Sequence, residues 1–236
     1  MPDDWQRALA VVAHPDDLEY GAAAAVAEWT DAGREIVYLL VTRGESGIGG
    51  LGPKECAVVR EAEQRASAAA VGVTAVEFLD HPDGVIEAGL RLRKELSAAI
   101  RSHRPELLIT LNHHDTWGGA NWNTPDHRVV GRAVLDAAMD AGNRWIFPEL
   151  VAAGLEPWDG VRWTAVAGSP EATHAVEVSS GVERAITSLA EHSAYISALT
   201  DGDPHDYARG FIEHMLEMGG QRYRGNPTVT FQLYPR

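Results

Sequence analysis

The sequence predicts an α/β fold, a Rossmann-like parallel sheet flanked by helices, with a smaller C-terminal strand-helix extension. Three observations carry this. Short β-rich runs alternate with helical stretches over the first two-thirds of the chain. The run Glu35–Val41 is continuously apolar after its first residue, as in a strand buried on both faces. A βαβαβαβ order requires parallel strands joined by right-handed crossovers.

Each element follows from local sequence. Ala8–Val12 is a short apolar strand. Gly21–Asp31 is alanine-rich and helical, with Gly33 placed to stop it. Lys54–Ala70 sets Glu and Arg among alanines and reads as a helix closed by Gly72. Ala75–Phe78 is a third strand, and Glu87–Arg104 has leucines and an isoleucine at helical spacing. Leu107–Leu111 is a fourth strand. Pro125–Ala141 is a helix with proline in its first turn and Thr124 as N-cap. After Gly142 the rhythm changes. Trp163–Ala167 and His174–Val178 read as strands, Gly181–Ala198 and His205–Met218 as helices, and Thr228–Leu233 as a last strand at a sheet edge. Glu156–Gly160 is a loop. No repeat or low-complexity linker divides the chain. The expectation is one domain over 1–236, with a core over 1–142 and an extension over 143–236.

Bulk properties narrow the function. The chain has 236 residues, 45 % hydrophobic and 23 % charged, an ordinary globular mixture. Its formal charge of −14 argues against nucleic acid and anionic membrane as partners, since both need basic patches. One cysteine, Cys56, excludes an intrachain disulfide and reads as a small apolar helix residue. The N-terminus lacks a charged-then-apolar signal pattern, and no apolar run approaches the ~20 residues of a membrane span. A cytoplasmic location is expected, with an oligomer possible.

Two polar clusters stand where ligands bind in open α/β sheets, past the C-terminal ends of strands. The first is His14-Pro15-Asp16-Asp17-Leu18-Glu19. It offers an imidazole and carboxylates within one short loop, a mixture that suits zinc. Alone it equally fits a helix-capping loop. The second runs from Asn112 to Arg128 and contains His113, His114, Asp115, Trp117, Trp122, Asp126 and His127. It is too polar for a core and too rich in histidine and tryptophan for a plain linker. Its strand-end position lets it lie beside the first cluster and complete a metal site.

HPDDLE at 14–19, TRGESG at 42–47 and PDHR at 125–128 resemble the LmbE-like, or PIG-L, family of zinc-dependent N-deacetylases. The helix around Arg60-Glu61-Ala62-Glu63-Gln64-Arg65, the segment His81-Pro82-Asp83-Gly84 and the stretch from Val176 to His192 are similar too. The resemblance covers about residues 8–200 and implies roles. His14, Asp17 and His127 match the ligands of one zinc, and Asp16 matches the general base. Asp126 is expected to orient a ligand or the helix end. Known members act on N-acetylglucosamine linked to inositol, malate or lipid, and on acetylated aminoglycoside or glycopeptide intermediates. The implied partner is a small N-acetylated substrate.

The chain departs from the family at Thr124, where members often carry a histidine credited with stabilising the oxyanion. His113 or His114 is a candidate replacement, as is zinc itself. The resemblance suggests substrate contacts for Arg43 and Glu45, with a rim salt bridge as the alternative. Trp117 and Trp122 are candidates to stack on a sugar, or to fold over a core edge. Asp115 binds substrate or caps a turn. His192 is a structural or catalytic histidine, while His81, His103, His174, His205 and His214 are expected to have no chemical role. The competing readings are another metallohydrolase, such as a phosphoesterase, and a non-catalytic sugar- or nucleotide-binding domain. A phosphoesterase usually recruits two metals or an arginine cluster. A nucleotide-binding loop after the first strand lacks its GxGxxG.

Overall fold

The computed structural model describes residues 1–236. In chain order the elements are β1 (Arg7–Val12), α1 (Asp17–Gly21), α2 (Ala23–Asp31), β2 (Glu35–Leu40), α3 (Pro53–Ala70), β3 (Ala75–Phe78), α4 (Leu90–His103), β4 (Leu107–Leu111) and α5 (Pro125–Asp140). There follow α6 (Pro148–Ala152), β5 (Trp163–Ala167), β6 (His174–Glu177), α7 (Gly181–Ala190), α8 (Ser193–Leu199), α9 (Pro204–Arg222) and β7 (Thr228–Pro235).

The strands form one seven-stranded sheet in the order β3-β2-β1-β4-β5-β7-β6. Strands β1 to β5 pair in parallel, and β7 runs antiparallel to both β5 and β6. Apolar side chains on both faces explain the arrangement. Along β1, Ala8, Ala10 and Val12 point into one core, which α2, α7 and α9 cover. Leu9 and Val11 point into a second core on the other face, under α4 and α5. The strand order turns back between β1 and β4. The loops after these neighbours diverge to opposite sides and leave a crevice at their C-terminal ends.

The parallel core is as expected, and the extension over 143–236 joins the same sheet with three strands, two of its pairings antiparallel. Several expectations need correction. Strand β7 is interior, and β6 is the edge. On β7, Gln232 is buried and accepts from Ser169 Oγ at 2.7 Å. The helix expected over Gly21–Asp31 starts earlier and breaks at Ala22, whose φ is −143°. The helix expected over Gly181–Ala198 breaks before α8 because His192 turns inward, wholly buried. The short helix α6 has too few residues for a periodic pattern. No helix is long and apolar enough to cross a membrane.

The C-terminal part is tied to the N-terminal part by Glu28 on α2. Its carboxylate accepts from the backbone N–H groups of Ser179 and Gly181 at 2.7 and 2.9 Å, and from Ser180 Oγ at 3.0 Å. These donors precede and open α7, so Glu28 caps that helix from a neighbouring one. Burial raises the Glu28 carboxyl's affinity for a proton, but the backbone donors outweigh it and hold its pKa below the usual value. A depressed pKa means stability that is present above the ordinary glutamate value near 4.5 and lost as pH falls. Glu28→Gln should therefore lower the melting temperature at pH 7 by roughly 2–4 °C, about 1 kcal/mol. The gap from wild type should narrow as pH falls below the ordinary glutamate value and through the depressed folded-state one. Melting curves over a falling pH series check this; a gap of constant size assigns the effect to packing.

Candidate active site at the β1–β4 crevice

The buried strand β1 delivers His14 to the crevice, and the loop then turns sharply. Asp16 has φ 83°, a left-handed conformation that a non-glycine residue adopts at a cost of about 1 kcal/mol. Three contacts hold it there. Its N–H donates to Gln64 Oε1 at 2.9 Å, and Arg60 Nη2 donates to Pro15 O and, at 3.0 Å, to Asp16 Oδ2. Gln64 is itself anchored by donating to Glu19 Oε1 at 2.9 Å. The turn sends the two aspartates to different surroundings.

Asp17 Oδ2 accepts from the N–H groups of Ala13 and His14 at 3.0 and 2.9 Å, and Oδ1 lies 3.0 Å from His127 Nε2. Pro125 and the Thr124 cap open α5 and fix His127 in its first turn. His127 Nδ1 lies 3.0 Å from Asn123 Oδ1, an amide oxygen that only accepts. The proton therefore belongs on Nδ1, and a lone pair on Nε2 faces the Asp17 carboxylate. His14 shows the same logic reversed. Its Nε2 is flanked by Asp83 Oδ1 at 3.1 Å and Asp126 Oδ2 at 3.3 Å, so that nitrogen donates. Nδ1 then faces Asp17 Oδ2 at 3.6 Å.

Two imidazole lone pairs and one carboxylate thus converge, with ligand atoms all within 4.8 Å of one another. Three acceptors crowded together repel unless a proton or a cation lies between them. Two nitrogens and one oxygen leaving a face open match a catalytic zinc site. The donor set fits such an ion. Asp126 supports it from behind, accepting from the N–H groups of Gly84 and Ile86 at 2.8 and 3.1 Å while holding His14. A second grouping, His14 with Asp83 and Asp126, shares this histidine.

The proton affinities follow. Burial pushes the Asp17 carboxyl up, but His127 and His14 outweigh it and hold it well below the usual range. Burial pushes Asp16 up to about 6, with the Arg60 charge opposing. Burial disfavours charge on His14, yet Asp126 and Asp17 raise its pKa well above the ordinary value. Tyr195, whose ring lies 3.8 Å from the Arg60 guanidinium, is pushed up to about 12 by burial and by Asp16.

The cluster opens into a cavity of about 640 Å³, within the roughly 300–1,000 Å³ usual for ligand sites. His14, Asp16, Asp17 and His127 line it, as do Thr124 and Trp117, whose ring edge meets His127. Other expected contacts lie elsewhere. Arg43 is bound to Leu79 O, Asp80 and Glu61, the rim salt bridge. Glu45 accepts from the N–H of Asp83 at 2.9 Å and so shapes the loop. His113 and His114 turn toward β7, to Tyr234 Oη at 3.1 Å and Gln232 Oε1 at 2.7 Å. That geometry removes both as replacements for the family's oxyanion histidine. Asp115 pairs with Arg128 and Arg132, and Trp122, 65 % exposed, lies beneath Arg128. His192 sits 3.7 Å from Glu19, behind the site. His81, His103 and His174 contact Glu95, Glu77 and Thr173, outside the cavity.

Sequence reasoning missed Asp83 and Arg60 as cavity residues, and all of the wall that Phe211, Met215 and Met218 build. Asp83 was within reach: Pro-Asp-Gly just past β3 obeys the same strand-end rule. Nothing local marks the helix α9 residues.

Comparison with known proteins gives the family. The PIG-L family model, described as GlcNAc-PI de-N-acetylase, matches residues 9–138, the stretch holding every polar group of the cluster. The diacetylchitobiose deacetylase of Thermococcus kodakarensis is 27 % identical over 94 % of this chain and 82 % of its own. A 1D-myo-inositol 2-acetamido-2-deoxy-alpha-D-glucopyranoside deacetylase of Kineococcus radiotolerans is 30 % identical over 66 % of this chain, which spans about half of that protein, 50 %. The structure of N,N'-diacetylchitobiose deacetylase from Pyrococcus horikoshii superposes with a TM-score of 0.84, covering 98 % of this chain and 85 % of that one at 21 % identity, a likeness of fold.

Asp126→Asn keeps the shape but weakens the acceptor that orients His14. Affinity for Zn²⁺ should fall about 10–100-fold. Competition against a chromophoric chelator measures it, and unchanged affinity in a folded variant shows that Asp126 does not support the ligand.

Proposed function

The chain belongs to the PIG-L family of GlcNAc-PI de-N-acetylases, and on that premise we propose that it is a zinc-dependent hydrolase removing an acyl group from the nitrogen of a small N-acylated amino sugar. The observation that carries the reading is the convergence of His14, Asp17 and His127 beside a buried, proton-accepting Asp16 in one open cavity. Bound by those three ligands, zinc supplies a Lewis acid for the amide carbonyl and lowers the pKa of a water.

The chain's own groups do the rest. Asp17 and the two imidazoles provide the fixed ligand geometry, with Asn123 and Asp126 setting the tautomers. Asp16, with a proton affinity near neutrality, takes a proton from the attacking water and returns it to the departing nitrogen. Arg60 holds Asp16 in place through one carboxylate oxygen and limits how far burial raises its pKa. Ser46 and Asp83 offer hydrogen bonds to sugar hydroxyls at the rim. A phosphoester has less to recommend it here, because the one arginine lining the cavity, Arg60, is already engaged by Asp16.

The adjacent aspartates should respond differently. Asp16→Asn removes the proton acceptor and should retain zinc while turnover falls by about 10²–10⁴. Asp17→Asn should lose metal affinity first, with activity partly restored by excess zinc. Metal content, melting temperature and release of free amine from N-acetylglucosamine derivatives test both. Zinc lost from Asp16→Asn but kept in an active Asp17→Asn reverses the assignment.

A further inference from the structure

The cavity has two chemically different ends, and the sheet order sets them on opposite sides of the cluster. Its polar lining comes from the β2–β3 side: Ser46 follows β2, Asp83 follows β3, and Arg60 is on α3. Its apolar lining comes from the β5–β7 side: Leu111 ends β4, Trp117 follows it, and Phe211, Met215 and Met218 lie on α9, which packs on β7. His14, Asp17 and His127 stand between the two, after the neighbouring strands β1 and β4.

The apolar end continues beyond the cavity wall. A narrower crevice of about 40 Å³ shares Tyr20, Gly21, Gly168 and Met215 with the cavity and runs on to Ala24, Ile212, Leu216 and Val229, with Glu19, Thr228 and Thr230 as its polar lining. Two glycines form the neck. A Cβ on Gly21 would come within 2.8 Å of Leu111 Cδ1, and one on Gly168, where φ is +65°, within 3.0 Å of the Trp117 ring. At this boundary the two glycines leave room for the Leu111 side chain and the Trp117 ring, which lie where a Cβ would stand.

An amide has two arms. A hydroxylated sugar needs hydrogen-bond partners, which the β2–β3 side offers and the α9 wall lacks; burying hydroxyls against Phe211, Met215 and Leu216 is unfavourable. The acyl arm then points at the apolar side, and an acetyl methyl leaves most of it unfilled. We propose that the site takes an N-acyl chain of about four to eight carbons, its tail laid past Met215 into the crevice, which holds roughly three water-sized groups. This rests on the deacylase reading. The reaction is hydrolysis: the amide C–N bond breaks, water's oxygen joins the acyl carbon, its hydrogens are shared between nitrogen and acid, and a free amine and a fatty carboxylic acid result.

The test uses the zinc-loaded full chain with N-acetyl-, N-butyryl-, N-hexanoyl- and N-octanoylglucosamine, and the octyl glycoside of N-acetylglucosamine. Amine release should show kcat/KM rising roughly threefold per methylene up to hexanoyl. Ile212→Trp, which fills the crevice, should lower the hexanoyl-to-acetyl ratio at least about tenfold, on the order of 1.4 kcal/mol. Should that variant not fold, calorimetry on the metal-free wild type decides: N-hexanoylglucosamine should bind more tightly than N-acetylglucosamine. Efficient acetyl turnover that falls from butyryl onward overturns the inference and leaves the deacylase reading standing. A gain only for the octyl glycoside overturns it by putting the apolar group on the other arm. No amine from any substrate defeats the deacylase reading and this inference together.

Discussion

The site depends on the reversal of strand order between β1 and β4. Right-handed crossovers carry the chain from β1 toward β2 and β3 on one side, and from β4 toward β5 on the other. The loops after β1 and β4 cannot cover each other, so a crevice is left above two adjacent strands. His14 and Asp17 enter it from one loop, and His127 from the first turn of the helix that follows the other. Both strands are buried on two faces, so their ends are rigid supports for groups that must hold position.

That crevice concentrates charge that a protein interior resists. Asp16, Asp17, Glu19 and Asp126 are all buried. Asp16 is compensated by Arg60, Asp17 by backbone amides and imidazoles, Asp126 by two backbone N–H groups and His14, and Glu19 by Gln64 and Ser67 at one oxygen, with His192 3.7 Å from the other. Removing one partner from such a network leaves an uncompensated buried charge, which costs more than the pair contributes. Asp17 differs in kind: backbone amides satisfy one of its oxygens, while the two imidazole nitrogens facing it balance its charge only through a proton or a cation held between them. That arrangement is stable with a cation between the groups and frustrated with none.

Much of this was legible in the sequence. Strands β3, β4 and β5 and the start of α5 follow directly from apolar runs, the proline and the threonine cap. The two polar clusters were legible because strand-end loops carry ligands. What escaped depends on contacts between distant segments. The left-handed turn at Asp16 is enforced by Arg60 and Gln64, more than forty positions away. The inward turn of His192, which divides α7 from α8, answers to Glu19. His113 and His114 read as site residues because they stand in the second cluster, yet β7 supplies their partners from the far end of the chain. The interior position of β7 was hidden by Gln232, a polar residue that a neighbouring loop satisfies.

The Asp16–Asp17 pair shows how one short turn separates two identical side chains. On one exposed loop, adjacent carboxylates would share similar solvent and repel each other. Here φ of 83° at Asp16 swings its carboxylate toward α3, while Asp17 opens α1 and points back at the β1 backbone. Asp16 then sees burial plus a single guanidinium and keeps a proton affinity near neutrality. Asp17 sees backbone amides and two imidazoles and stays ionised. A carboxylate that never gives up its charge suits a cation, and one that takes a proton readily suits a base. On the proposed mechanism, the division of labour is set by backbone conformation and by which helix each oxygen reaches. Proline at position 15 and the Arg60–Gln64 face of α3 are as much a part of the chemistry as the aspartates themselves.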